Sequence, residues 1–445
     1  MTRVLLVSVL TVISPSVAAA AEGVIAASEP DSFTVAECVR IARAAAPEVQ
    51  AANAERLAAS LDSAATARNG RPAWSVFGGA TVAPAWSYDP AFTNLGDYQF
   101  KLGMDVPLLD GGVRRRERLL AGLTATQMAL ERDRVARDAG LRAATVALTL
   151  LQRELQETYA RASLTWLERL ATLLESGVRA GAQARADAVR ARIEIDAVGA
   201  ELSIVQEERG ALTRELAQLM GRDPLRGVRV IGADSAGISP PSAADSALWL
   251  ERADQAPEVR AARSQAAAAR LSLEQARRRN ALQMSFAADA GLAGTDLTRV
   301  VPPDIRAENP NATISDRLRR DLGASVSFQF RRPLLDPATS LSIAAREASL
   351  RAAEARANTA SIERRRQVLD LLGHWRSAVE RLRLTRAALA RADDHLVRLR
   401  SLYSGGGASL LELLDARRQL DDARTRLAEA RLATEVARWE GELRR

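Results

Sequence analysis

The sequence predicts a mixed α/β membrane protein of duplicated design, in which each half joins a hairpin of strands to a long helical hairpin. Three observations predict it. An alternating run ending in Pro-Leu-Leu-Asp, Leu102 to Gly112 (LGMDVPLLDGG), returns in the second half as Val326 to Ala338 (VSFQFRRPLLDPA). Each copy passes into a proline-free helical pattern far longer than a globular helix. Each of those patterns stops at glycine, and a shorter helical run follows. A repeat on this scale means two structurally equivalent halves.

Composition agrees. Of 445 residues 47% are hydrophobic but only 4% aromatic, and the dominance of Ala, Arg and Leu favours long helices over several compact cores. The net charge is +7, yet the arginines interleave with Asp and Glu along helical faces. That is the pattern of a solvated helix surface, so no nucleic-acid partner is expected. Lys101 is the only lysine.

The N-terminal stretch has Arg3, an apolar run from Val4 to Ile13 and small residues from Val17 to Ala21. These are the parts of a cleaved secretory leader, residues 1–21. No later segment offers the roughly 20 apolar residues of a membrane helix. Cys38, the only cysteine, is too far along to be a lipid-bearing N-terminus and reads as a buried helix residue.

The first repeat is expected over 22–221. A short helix from Phe33 to Ala45 precedes Pro47, which suits the first turn of a helix reaching about Asn69. The segment Ala46 to Ala52 (APEVQAA) recurs as Ala256 to Ala262 (APEVRAA). Strands follow near 73–88, carrying Trp74 and Trp86, and near 98–108, with a turn-rich loop between. In the second strand Tyr98, Phe100, Leu102, Met104, Val106 and Leu108 are apolar, and Gln99, Lys101, Gly103 and Asp105 between them are polar or small, giving two chemically different faces. Val113 to Ser176 is then helical, about 64 residues or roughly 96 Å. Gly177 and Gly181 break it. The next helix, to Met220, carries a seam at Ala191, Ile195, Val198, Leu202, Val205, Leu212, Leu216 and Leu219, interrupted by Arg209.

A linker, 222–244, leads to the second repeat, 245–445. It has a short helix near Ala247 to Gln255, a helix opened by Pro257, strands near 282–292 and 322–332 with a long loop between, and a helix from Ala338 to Tyr403. That helix carries a seam at Val368, Leu371, Trp375, Ala378, Leu382, Leu389, Leu396 and Tyr403. Gly405, Gly406 and Gly407 break it before the last helix, which has Leu413, Ala416, Leu420, Ala423, Leu427 and Ala430 at heptad spacing. In each half the two shorter helices add up to nearly the length of the long one, so they are expected to stack end to end beside it. Strands of about 10 residues with one apolar face have the length that crosses an outer membrane. Four strands cannot close a barrel, and open edges are not tolerated in lipid. Two copies would give eight strands and a filled interior, three would give twelve and an open lumen, and a cyclic trimer is the economical solution.

These paired blocks, with the tip blocks GAQARADAVRA (Gly181 to Ala191) and YSGGGASLLELLDA (Tyr403 to Ala416), resemble the TolC-like outer membrane efflux protein family over nearly the whole chain beyond the leader. The resemblance implies a homotrimeric channel-tunnel: a twelve-stranded barrel in the outer membrane of a Gram-negative bacterium, continued by a coiled-coil α-helical tunnel across the periplasm. It implies an exit duct for efflux or type I secretion, joined through a periplasmic adaptor to an inner-membrane pump of RND or ABC type. It also implies a periplasmic gate and selectivity ring: Glu412 and Asp415 as an acidic ring, with Asp187 and Tyr403 in closing contacts. Ala408 stands where the family has an arginine.

Tyr98, Phe100, Leu102, Phe328 and Phe330 are expected to face lipid, and the turns at Gly177, Gly181 and Gly405 to Gly407 to receive the adaptor. A periplasmic adaptor is the alternative, since it also uses a long helical hairpin, but it needs a single hairpin flanked by compact β modules. No enzyme is expected: the two histidines, His374 and His395, are too far apart on one helix to share a metal, and no catalytic constellation, metal site or cofactor motif is visible.

Overall fold

The computed structural model describes residues 31–69, 71–81, 97–232, 239–295, 301, 303–332 and 338–444. The expected leader, Trp86 with the outer part of the first strand run, most of the loop after it, and the second Pro-Leu-Leu-Asp at 333–336 lie outside the described residues.

Four helices form two antiparallel hairpins of matching length. α3 (Val113–Arg179) and α9 (Ala338–Ser404) are each 67 residues, about 100 Å at 1.5 Å per residue. Their partners α4 (Arg185–Leu219) and α10 (Leu410–Arg444) are each 35 residues. α2 (Pro47–Arg68) and α6 (Pro257–Arg277) continue the shorter arms, so α3 packs on α2 and α4, and α9 on α6 and α10. The heptad seams are the packed faces: Ala191, Val205 and Leu216 on α4, Val368, Leu371, Trp375, Ala378, Leu382 and Leu396 on α9, and Leu413, Ala416, Leu420, Leu427 and Ala430 on α10 are buried. α3 also packs on α10 and α6, which joins the halves into one body.

Arg209, which interrupts the α4 seam in the sequence, has a partner. It reaches Glu157 on α3 at 2.7 Å, and Glu157 also accepts from Gln206 at 3.0 Å and pairs with Arg161 at 2.5 Å. The Glu157 side chain is only 3% exposed, so a seam otherwise apolar carries one buried carboxylate that fixes how α3 and α4 align.

The repeated APEV blocks have the same local geometry. Ala46 and Ala256 hold extended backbone (φ −56°, ψ 138° and φ −57°, ψ 145°) ahead of a first-turn proline, and Val49 and Val259 are fully buried. The glutamate of each block pairs with an arginine of α3, Glu48 with Arg142 and Glu258 with Arg137.

The helix expected from Phe33 begins later. Phe33 lies in a short strand, β1 (Asp31–Thr34), because Thr34 and Glu37 form a capping box that starts α1 (Val35–Ala45). β1 pairs in parallel with β4 (Val228–Ile231), inside the segment read as a linker. α5 (Ala243–Arg252), continued by a 3-10 turn over Ala253–Gln255, precedes α6. Cys38 packs with Val39, Ala42 and Ala143, and burial pushes its thiol up to about 11.

At the far end of the rods stands one antiparallel sheet in the order β2 (Ala73–Thr81), β3 (Asp97–Asp110), β5 (Gln283–Thr295), β6 (Leu322–Arg331). The strand-to-helix exit is built by the repeated motif itself. Gly111 and Gly112 take left-handed backbone (φ 61° and 79°), and the Asp110 carboxylate accepts from the N–H groups of Gly112 and Arg114 at 2.9 and 2.8 Å, capping α3. The long loop before β6 contains two helices, α7 (Pro303–Glu308) and α8 (Ile314–Asp321). The charged sequence of α8 hides its helical period, and a capping box between Thr313 and Asp316 starts it.

Candidate functional site

The strand register sorts the sheet into two faces. Phe100 lies opposite Leu292, Leu102 opposite Ala290, Ala290 opposite Ala324, and Val106, Phe286 and Phe328 form one cross-strand row. Tyr98, Phe100, Leu102, Phe328 and Phe330 therefore share a face. On the other face Lys101 forms an ion pair with Asp289 at 3.4 Å, Ser325 donates to Asp289, and Ser327, Gln329 and Arg331 continue the row along β6. Phe328 and Phe330 are 66% and 78% exposed in the protomer. β2 and β6 are both open edges. An apolar face beside unpaired edges is a surface that more strands, and lipid, would cover.

The two turns at the opposite end of the rods have the same construction. Ala182 N–H reaches Gly177 C=O at 2.8 Å and Gly181 N–H reaches Val178 C=O at 3.1 Å; Gly407 N–H reaches Leu402 C=O at 2.8 Å and Gly406 N–H reaches Tyr403 C=O at 3.1 Å. Both are Schellman closures, with Gly181 (φ +72°) and Gly406 (φ +76°) at the left-handed position. This corrects the role of Gly177. It lies inside α3, which runs on to Arg179, and it leaves room for Gln183, whose Cγ would be 2.6 Å from an added Cβ.

All four rod helices meet at this tip. Leu167, Leu170, Ala171 and Leu174 of α3, Ala188 and Ala191 of α4 and Leu410 and Leu414 of α10 form one core, with Tyr403 of α9 packed against it. Burial, and then the charge of Asp187, raise the Tyr403 hydroxyl above its ordinary range. Among the described residues no hydrogen bond joins them. Glu412 acts locally. With Ser409 it forms the capping box of α10, accepting from the Ser409 N–H at 2.7 Å and hydroxyl at 2.9 Å. Those bonds hold its carboxyl below the usual carboxylate range. Asp415 lies 3.8 Å from Arg418, which also binds Glu194 of α4. The Arg418 tie and the Ser163, Arg417 and Asp421 cluster between α3 and α10 were not anticipated. Arg417 and Asp421 show helical pair spacing, but nothing in the sequence names Ser163 or Glu194 as a partner.

Among the described residues there is no cluster of three or more potential metal ligands and no helix long and apolar enough to cross a membrane. Both histidines are exposed.

Residues 250–439, nearly all of the second repeat, match the outer membrane efflux protein family. That segment is similar to the outer membrane efflux proteins. No curated protein matches the chain by sequence. Among solved structures, the fold recurs in the outer membrane protein VceC of Vibrio cholerae (TM-score 0.72, 17% identity, 91% of this chain and 94% of that one). It recurs also in CusC (TM-score 0.72, 17% identity, 91% and 90%). The open-state MtrE outer membrane channel of Neisseria gonorrhoeae gives a TM-score of 0.69 at 17% identity, over 92% of this chain and 88% of that one. The likeness spans both repeats, so the first half shares the fold although the family match itself lies in the second.

Proposed function

We propose that this protein is the outer-membrane exit duct of a tripartite efflux or type I secretion system. In this reading three protomers contribute four strands each to a twelve-stranded barrel, and their helical hairpins, one in each repeat, line a periplasmic tunnel. The duct is passive, and a periplasmic adaptor couples it to an inner-membrane pump. One observation carries the reading: a sheet with two open edges and one apolar face, standing on rods about 100 Å long, in the fold of outer-membrane channels. A second set of apolar side chains supports the trimer, since Val189, Ile193 and Ile204 of α4 and Ile362, Leu369 and Val397 of α9 are more than half exposed in one protomer. Two hairpins and no compact β modules among the described residues favour the duct over an adaptor. Heat-sensitive trimers in the outer-membrane fraction are the expected result; a monomer in soluble periplasm would sink the reading.

The adaptor is assigned to the two Schellman turns. Gly406→Val forces a β-branched residue into left-handed backbone, where it is strained. Export should fail while trimers persist, as measured by drug accumulation beside gel migration. Crosslinkers placed at Ala182 and Gly407 that never capture an adaptor would exclude this assignment.

The gate is assigned to Glu412 and Asp415 as stacked acidic rings at the tip, with Tyr403 beside Asp187. Acidic rings bind cations. Trivalent cations on the periplasmic side should block single-channel current. The pair Glu412→Gln with Asp415→Asn, which keeps the capping geometry, should remove the block. Because its folded pKa is lowered, the stabilisation Glu412 gives α10 is present above the ordinary glutamate value of about 4.3 and is lost as pH falls through the lower folded value. The charge of the Glu412 ring should accordingly survive to mildly acidic pH. A block unchanged by the double substitution would exclude these residues.

A further inference from the structure

We propose that α8 is an interfacial helix, lying on the outer leaflet of the membrane with Ile314 and Leu318 in the apolar boundary and Arg319 and Arg320 on anionic phosphate headgroups of the lipid. The inference rests on the reading that the Phe100 and Phe328 face of the sheet meets lipid.

Geometry places α8 on that face and not over the lumen. The Tyr98 hydroxyl donates to the Asp321 carboxylate, the Arg317 guanidinium lies 5.3 Å from the centre of the Tyr98 ring, and Arg317 Nε is 3.2 Å from Asp321. Opposite Tyr98 stands Gly294, where an added Cβ would come within 2.7 Å of Asp321 Oδ2. Tyr98 and Gly294 belong to the same face as Phe100, Leu292 and Phe328. Thus the helix is seated on the outside of the sheet at its outer rim, one residue before β6 begins.

That seat leaves two apolar side chains without cover. Ile314 and Leu318, one turn apart and flanking Arg317 and Asp321, are 57% and 45% exposed. Arg319 and Arg320 are exposed beside them, Arg320 also lying 3.8 Å from the Glu308 carboxylate of α7. Short apolar stripes with arginine alongside are what an interfacial helix presents, the apolar side chains at the acyl boundary and the cations at the phosphates. The continuous apolar belt of Phe100, Leu102, Val326 and Phe328 immediately below supplies the surface that the stripe extends, and it is what selects lipid as the occupant. Tyr98 then sits at the level where aromatic girdles of membrane barrels lie.

The test uses the full-length trimer in vesicles of phosphatidylcholine with phosphatidylglycerol. Cys38 is buried and stays unlabelled, so an environment-sensitive fluorophore can be placed at Ile314→Cys, Phe328→Cys or Gln329→Cys. The Ile314 label should be quenched by lipids carrying a nitroxide near the headgroup and protected from aqueous iodide, the Phe328 label by nitroxides deeper in the chains, and the Gln329 label by iodide. In the Ile314→Cys protein, Arg319→Gln with Arg320→Gln should remove the added quenching that phosphatidylglycerol gives over phosphatidylcholine alone. Lipid quenching at Phe328 with an iodide-accessible label at Ile314 would overturn the interfacial helix and leave the belt standing; iodide access at both would overturn the belt as well. A response of the detergent-solubilised trimer to inorganic phosphate alone, or no effect of the arginine substitutions, would overturn the headgroup assignment.

Discussion

Phe328→Arg is expected to abolish the proposed heat-sensitive trimer, whereas Gln329→Arg, one residue along the same strand, should assemble like the parent. Both variants introduce the same side chain into β6, so the overall charge changes alike. What differs is the face. Phe328 packs at a tilt of 59° against Phe286, ring centres 5.0 Å apart, in the middle of the apolar row, and is 66% exposed in the protomer. A cation on the lipid side of a membrane barrel costs about 2 to 4 kcal/mol near the midplane, and a trimer takes on that cost three times. Gln329 lies on the face of Lys101, Asp289 and Ser325, where a cation meets water and other charges. Comparing boiled and unboiled outer-membrane fractions by gel migration decides the matter, and equal trimer yield from the two variants would refute the face assignment.

The second large effect is expected at Glu157. Its carboxylate is buried between α3 and α4 with Arg161, Arg209 and Gln206 as partners. Arg161→Leu or Arg209→Leu alone should cost little, because the remaining arginine still pairs with the carboxylate. Together they leave the buried charge with Gln206 only, and stranding a buried charge costs about 3 to 5 kcal/mol. Adding Glu157→Leu to that pair should recover most of the loss, since an apolar seam of similar volume is often as stable as a buried ion pair. The measurement is the denaturant midpoint of the purified protein. A double variant as stable as the parent, or a triple variant no better than the double, would show that Glu157 does not depend on its cations.

The sequence was legible where a single period governs a long stretch. Alternation from Tyr98 to Val106 is enough to define a strand with two faces, because neighbouring strands only reinforce it. The seams of α4, α9 and α10 are legible for the same reason at the helical period. What escaped depends on partners distant in the chain. DSFT and VRVI are too short to show alternation, and each becomes a strand only through the other. Arg209 looks like a defect in its seam until Glu157 is brought beside it. Gly177 looks like a helix breaker, but its hydrogen becomes necessary only where Gln183 folds back over it. At the tip, Glu412 could be placed on the first turn of α10, whereas its bonds to Ser409 and the tie from Arg418 to Glu194 emerge only in three dimensions.

The equal arms of the two hairpins set a rule for how this protein can change size. α3 and α9 match at 67 residues, and α4 and α10 match at 35. Inserting one heptad into α3 alone would push its end about 10 Å beyond its neighbours and pull the Tyr403 side chain off the core it shares with Leu174 and Leu414. Only matched insertions, one in each of the four helices, keep the two tips level. The protein is in effect a gauge of fixed span, and changing that span requires four coordinated edits, whereas a surface loop could be lengthened by one.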